Sequence, residues 1–346
     1  MAEVIVIGAG MAGSVAAGAL RGAGHRVVVV DKGFAVGGRM AARRVDGARF
    51  NVGAQFLTAK SDVFRAMTDR WAEEGVLRTW FHGSPDLEAP RDPDGHPRMR
   101  GTPTMRRIVE HLSADLDLRL GHLVSAITTG QRRLTVHLSA RTTGTPARPT
   151  VSPTAVTSTL TADAILATMP VPQLRALLAT SELTLDSTAE QRLAAATYDP
   201  CLTVLAVPSG PTALPARGAV RIPDGDVAWI TDHHTTGTST LPALTIHASA
   251  EYSRERFDAD AAQVRTELTR LAAPVLGTGA RGVHLHRWRY ATPTAELGAD
   301  PLVSHIGHAP IAVAGDALRG GRVEGAALSG LEAAEALHAA LADVGP

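Results

Sequence analysis

Among 34 basic side chains in this chain of 346 residues only two are lysines, Lys32 and Lys60, and the single cysteine is Cys201. One cysteine excludes an intramolecular disulfide framework and a cysteine-rich metal site; it fits a reducing compartment, so a cytoplasmic protein without a metal centre is expected. Formal net charge is zero and the arginines are scattered, so no electrostatic footprint for nucleic acid or for an anionic membrane is present. Aromatic residues are only 4% of the chain, which makes each tryptophan and tyrosine worth placing. Val4 to Leu20 is mostly apolar or glycine, but Glu3 precedes it and no basic n-region is present, so it is read as structure and not as a membrane segment. With 45% hydrophobic residues the chain can bury a large core, and its length points to about two domains.

What is present begins with "EVIVIGAGMAGSVAAGALRGAGHRVVVVD". It reads as strand, glycine turn, small-residue helix and second strand, and neither strand alternates, as expected for a parallel sheet covered on both faces. Gly8, Gly10 and Gly13 form G-x-G-x-x-G with Met11 and Ala12 between them. The first glycine permits the tight turn, the second admits a pyrophosphate and the third lets helix pack on strand. Asp31 lies 18 residues after Gly13, where a carboxylate accepts from a ribose hydroxyl, with Lys32 following it. An adenine dinucleotide is the expected ligand, and NAD, NADP and FAD all satisfy this much.

The stretch "DKGFAVGGRMAARR" separates them. A second glycine pair followed by Arg39 brings backbone amides and a guanidinium back to the same pyrophosphate. The acid, the short spacer and Gly37-Gly38-Arg39 resemble the flavin amine oxidase superfamily, in which they mark FAD in an extended pose. The C-terminal "IAVAGDALRGGRVEGAALSGLEAAEALHAAL" resembles that superfamily's second flavin clamp. The resemblance implies that Asp316, after Gly315, accepts from a ribityl hydroxyl. It also implies that the amides of Val323, Gly325 and Ala326, at a helix N-terminus, face the flavin's N1 and C2 carbonyl. Val124, in a stretch read as two antiparallel strands over residues 116–138, matches the residue whose backbone contacts adenine.

"GGRMAARR", "GAQFLTAK", "YDPCLTVLAV", "HRWRYATP" and "GGRVEGAALSG" follow the order and spacing of the renalase-like branch, and "ILATMPVPQLRALL" is similar to its return strand and helix. Ala317 after the Gly-Asp and Asn51 in "FNVGAQF" depart from its usual residues. The fold this implies is α/β: a Rossmann-like FAD-binding domain of the p-hydroxybenzoate hydroxylase and amine oxidase type, with an α+β substrate domain built on an antiparallel sheet. The division expected is 1–60, 100–170 and 290–346 for the FAD domain, with 61–99 and 171–289 for the substrate domain. A helix is expected near 61–80, and short strands at 201–207, 227–232, 243–249 and 283–290. Residues 139–162, rich in Thr, Pro and Ser, read as an extension between two strands.

In well-known amine oxidases a substrate-domain lysine reaches the flavin through water, and this chain has no lysine after Lys60. The renalase-like resemblance implies instead hydride transfer from isomeric NAD(P)H to flavin, with dioxygen as acceptor and hydrogen peroxide as product. An amine oxidase or desaturase, and a flavin-free escort protein of the same fold, are the alternatives. Pocket candidates are Trp229, His247, Trp288 and Tyr290, with Gln55 and Phe56 from the flavin-side loop. The tryptophans serve core packing or substrate stacking equally well. His247 reads either as a hydrogen-bonded core histidine or as a group that orients a carboxamide. "DHHTTGT", residues 232–238, reads as a surface loop without metal-ligand spacing. Cys201 precedes an apolar strand and reads as core, so FAD is expected to be non-covalent.

Overall fold

A computed structural model describes residues 1–83, 86, 96–131, 133–141, 156–298 and 300–343. The chain forms two compact units, one of residues 1–38, 109–197 and 294–346, the other of residues 39–108 and 198–293.

The first unit is built on a six-stranded sheet in the order Leu302–Ile306, Ala309–Val313, Ala164–Ala167, Glu3–Ile7, Arg26–Asp31, Asp117–Leu120. All neighbours are parallel except the edge strand Leu302–Ile306. Glu3–Ile7 and Arg26–Asp31 are the β-branched runs of the sequence, and with the fully buried apolar strands Ala164–Ala167 and Ala309–Val313 they form the centre of the sheet. The helix Met11–Gly22 follows the first strand, and the helix Arg322–Asp343 ends the chain's described part. These two helices approach closely because Gly330 has no side chain: a Cβ there would overlap the carbonyl of Ala12.

The second unit carries a five-stranded antiparallel sheet in the order Ala219–Arg221, Val227–Asp232, Leu244–Ala248, Tyr198–Pro208, Ala280–Pro293. Alternation divides its side chains. Leu202, Val204, Ile230, Ile246 and Leu285 pack against Val264, Leu268 and Leu276 of the helix Ala261–Leu276. That helix is started by Asp260, which accepts from the Ala262 and Gln263 amides, and stopped by Gly277 at φ 66°. On the other face, Leu205 and Ala243 meet Phe50 and Val52, from the hairpin Ala42–Val45 and Ala48–Asn51 and the loop after it.

Several expectations are corrected. The helix near 61–80 is Asp62–Glu73, started by Ser61, and a strand Leu77–Phe81 follows. The 116–138 stretch holds three strands, because Gly121 at φ 73° breaks it into Asp117–Leu120, in the parallel sheet, and His122–Thr129, which pairs with Leu134–Ala140. The ends of the 139–162 extension are ladder residues: Ser158–Ala162 pairs with Leu134–Leu138, while residues 142–155 of that extension lie outside the described residues. The unit boundaries also differ from the expected division. Residues 39–60 join the second unit because their hairpin packs on its sheet, and 171–197 join the first, where the helix Val171–Thr180 packs beside the strand His122–Thr129.

Candidate functional site

In the first unit the turn after Ile7 is shaped by steric exclusion. Gly8 sits at φ 117°, and a Cβ there would overlap the Thr168 hydroxyl, which donates to the carbonyls of Ile7 and Gly8. A Cβ at Gly13 would overlap the Gly8 carbonyl oxygen. Gly10 is different: its φ is −92°, and a Cβ there would meet only Gly38 Cα, at 3.9 Å. Nothing in the chain itself forbids a side chain at Gly10, so the open space above it is a cradle that a Cβ would fill. Met11 and Ala12 are buried in the first helical turn.

Asp31 ends the second strand and is held at the same turn. Its carboxylate accepts from the Ala9 amide at 2.7 Å and from the Gly33 amide at 2.5 Å. The Gly37 amide donates to the Ala9 carbonyl at 2.8 Å, which brings Gly38, at φ 52°, against Gly10. The two glycine motifs of the sequence are therefore one structure. Lys32 Nζ donates to Gln173 Oε1 at 3.1 Å on the surface. Val124 is buried in its strand, beside a register shift between Val124 and Ala126.

The C-terminal clamp lies in the same unit. Gly315, at φ 150°, donates its amide to Ser329 Oγ, and a Cβ there would meet nothing within 4 Å. Asp316 is buried, and its carbonyl accepts from the Gly321 amide. Arg322 opens the last helix at φ 67°, a left-handed conformation unusual for a side-chain-bearing residue. Val323 and Gly325 follow in the first turn with Ala326, and a Cβ at Gly325 would overlap the Arg319 carbonyl.

The remaining residues fall in the second unit. Arg39 Nη1 donates to the carbonyls of Tyr290 at 3.5 Å and Ala291 at 3.3 Å, both long. Gln55 is buried; its Nε2 donates to the carbonyls of Asn51 and Gly53 at 3.0 and 2.8 Å. Those two carbonyls fix which end of the amide is the donor, since a flip would set oxygen against oxygen. Phe56 packs with Trp229, ring centroids 5.5 Å apart, and with Trp80 and Phe81. The ring of Tyr290 meets Tyr198 edge to face at 5.7 Å.

The ladder register aligns side chains across the sheet's polar face. One row reads Arg221, Trp229, His247, Thr203, His286, and the next reads Ala219, Thr231, Thr245, Leu205, His284. Trp288 stands beside His286, ring centroids 4.1 Å apart. His247 Nε2 is 3.2 Å from the Val52 carbonyl, and Trp288 Nε1 donates to the same oxygen at 3.4 Å. A carbonyl only accepts, so the His247 proton is on Nε2 and Nδ1 carries the lone pair. Burial lowers the His247 pKa to about 4, which keeps it neutral. Trp229 is buried and its Nε1 donates to Thr231 Oγ1 at 2.6 Å, while Trp288 is half-buried.

Sequence reasoning missed three histidines. His284 and His286 are legible in the alternation of "VHLHRWRY", which sets them on the face of Trp288. His233 corrects the surface reading of "DHHTTGT": it is fully buried, with its edge on Phe50 and Nε2 2.8 Å from Thr245 Oγ1. Thr245 donates in turn to the Asn51 carbonyl. Asp232 anchors the turn by accepting from the His234 and Thr235 amides and the Thr212 hydroxyl. Cys201 is packed against the Ala248 carbonyl and Thr203 Oγ1, and burial raises its thiol to about 11, so it is not a thiolate at neutral pH.

Residues 83–338 match the family of flavin containing amine oxidoreductases, and residues 6–71 match the NAD(P)-binding Rossmann-like domain. A putrescine oxidase of Kocuria rosea is 39% identical over 76 residues, 22% of this chain, and the matched stretch spans 16% of that relative's length. Solved structures share the fold across the whole chain. A proposed protoporphyrinogen oxidase of Exiguobacterium sp. 255-15 superimposes with a TM-score of 0.67 at 13% identity, over 97% of this chain and 98% of that one. An engineered putrescine oxidase does so with a TM-score of 0.66 at 12% identity, over 99% of both chains. The chain belongs to the flavin-containing amine oxidoreductase family and is a flavin oxidoreductase whose cofactor is FAD. The open cradle at Gly10 and Gly38, beside a carboxylate held at the end of the second strand, fits such a dinucleotide.

Proposed function

We propose that this protein is a renalase-like FAD-dependent oxidase that takes hydride from an isomeric dihydronicotinamide dinucleotide. When bound, the flavin supplies the hydride acceptor at N5 and passes the electrons to dioxygen, giving hydrogen peroxide. FAD is held without a covalent bond. Gly8, Gly10, Met11, Ala12 and Gly13 shape the turn for its pyrophosphate, and Asp31 faces the adenosine ribose. Arg39 gives up its two long carbonyl contacts for phosphate oxygens. Val124 lies along the adenine, Lys32 follows at the surface, and Gly38, Gln55 and Phe56 line the flavin side. Gly315, Asp316, Val323, Gly325 and Ala326 form the second clamp.

One observation carries the choice of substrate. The two rows on the second unit's sheet face hold rings, imidazoles and hydroxyls, with Ala219, Leu205 and, at one end, Arg221, and neither lysine nor carboxylate within them. Asp86, beside the end of one row, is ion-paired to Arg221. An ammonium group brought onto such a face loses its water and gains no anion, which is costly. A flat, neutral dihydropyridine ring finds Trp229 and Trp288 to stack on. The bare Nδ1 of neutral His247 accepts from a carboxamide N–H and sets the ring's orientation, and Tyr290 flanks the ring. The chain's own contribution is positioning and exclusion of water, because the ring is already an activated hydride donor.

The test is Trp288→Ala. Anaerobic flavin reduction by the 2- and 6-dihydro isomers of NAD(P) is expected to slow by about a hundredfold, the cost of lost orientation, while FAD content per chain is unchanged. Equal loss of FAD and of rate would assign Trp288 to the fold instead.

A further inference from the structure

The substrate proposed above carries phosphates as well as a ring, and resting on that reading a place for them can be sought on the same face. We propose that Arg43, His284 and His286 form an anion subsite next to Trp288 that takes the phosphate or pyrophosphate of the substrate. Arg43 projects from the strand Ala42–Val45 and is exposed. Its Nη1 lies 3.3 Å from Nδ1 of His284. A guanidinium only donates, so His284 Nδ1 accepts and the imidazole proton sits on Nε2. The pair therefore retains further N–H donors on both members: the guanidinium's other N–H groups and the His284 Nε2–H.

His284, His286 and Trp288 alternate along one strand and so share a face. The rings of His284 and His286 are 6.4 Å apart, and those of His286 and Trp288 4.1 Å. By those two distances the His284 and Trp288 rings lie within about 10.5 Å of each other, with the His286 ring between them, a span that a phosphate-bearing ring substrate can bridge. Among the described residues Arg43 has no ion-pair partner. Burial and the neighbouring guanidinium hold both imidazoles near pKa 4, so at neutral pH the permanent charge of Arg43 is what an anion meets, with neutral donors beside it. This arrangement suits a phosphate and repels a diamine.

Inorganic pyrophosphate, titrated into the FAD-loaded protein by calorimetry at fixed ionic strength, is the direct probe. Arg43→Ala is expected to weaken its binding by about tenfold or more, the loss of a charge-assisted contact. Arg43→Lys is expected to fall between, because it keeps the charge and loses the fork. Arg44→Ala removes the same charge one residue away and is expected to change binding less than about twofold. Arg43 is exposed, so its variants are expected to keep the wild-type melting temperature. A second arm compares isomeric dinucleotide with the phosphate-free dihydronicotinamide riboside: Arg43→Ala raises the KM of the first and spares the second. Arg43-dependent pyrophosphate binding in a protein whose flavin no isomer reduces would retain the subsite and remove the proposed substrate. Pyrophosphate binding unmoved by Arg43→Ala, or lowered equally by Arg44→Ala, would overturn the subsite while leaving the oxidase reading in place.

Discussion

Gly10→Ala is expected to give a folded, colourless protein, and Gly13→Ala a protein that fails at folding. The two glycines sit three residues apart in one motif, yet the structure assigns them different obligations. A Cβ at Gly13 would overlap the Gly8 carbonyl inside the chain, so the helix must move off the strand whether or not cofactor is present. A Cβ at Gly10 would meet only Gly38 Cα at 3.9 Å, an ordinary contact, and its φ of −92° suits alanine. Alanine at Gly10 therefore leaves the apoprotein's melting temperature within a degree or two of wild type, while FAD retention falls by about two orders of magnitude or more. Measuring bound flavin and thermal midpoint on both variants separates the cases. A yellow Gly10→Ala protein would mean that the cradle is not where the pyrophosphate lies.

Stability is expected to fall as pH drops from 6.5 to 5, a range in which most surface carboxylates are still ionised. His233 is held near pKa 3 by complete burial and by nearby His247, and burial holds His247 near 4. Burial and their neighbours hold His284 and His286 near 4 as well. In the unfolded chain each takes a proton near 6.5. Below that pH the unfolded state binds more protons than the folded state, and stability declines until the folded values near 3 to 4 are reached. For His233 alone the slope approaches about 1.4 kcal/mol per pH unit once the unfolded imidazole is protonated. Urea midpoints at pH 7.5, 6.5, 5.8 and 5.0 measure it: flat above 7 and falling below 6.5. His233→Gln should make the fall shallower, and a wild-type midpoint constant from 7.5 to 5 would show that these imidazoles are protonated in the native state.

The nucleotide-binding half was legible because its signals are local. Gly8, Gly13 and the strand runs around them report backbone conformation and two-sided burial, which sequence encodes directly. The antiparallel sheet was legible for the same reason: "CLTVLAV" and "ALTIHAS" carry their apolar face in period two. What escaped depended on partners distant in sequence. His233 lies in a polar heptamer, and its burial is set by Thr245 and Phe50, which no short window around it contains. The transfer of residues 39–60 to the second unit follows from Phe50 packing on Leu205, more than 150 residues away. Gly121 is one glycine among 33, and only its positive φ distinguishes it as the point where a strand run breaks. Arg43, by contrast, stood in plain view in "GGRMAARR", but its nearness to His284 is a tertiary fact.

The proposed function requires that the flavin of this protein be reduced by a dihydronicotinamide ring and not by an amine. Anaerobic mixing of the FAD-loaded protein with 2- or 6-dihydro isomers of NAD(P), beside putrescine at the same concentration, tests it in one spectrophotometer trace. Rapid bleaching of the flavin absorbance by at least one isomer is expected, with slow or no bleaching by ordinary NAD(P)H and none by putrescine. Bleaching by putrescine with no response to any isomer would contradict it and make the protein an amine oxidase.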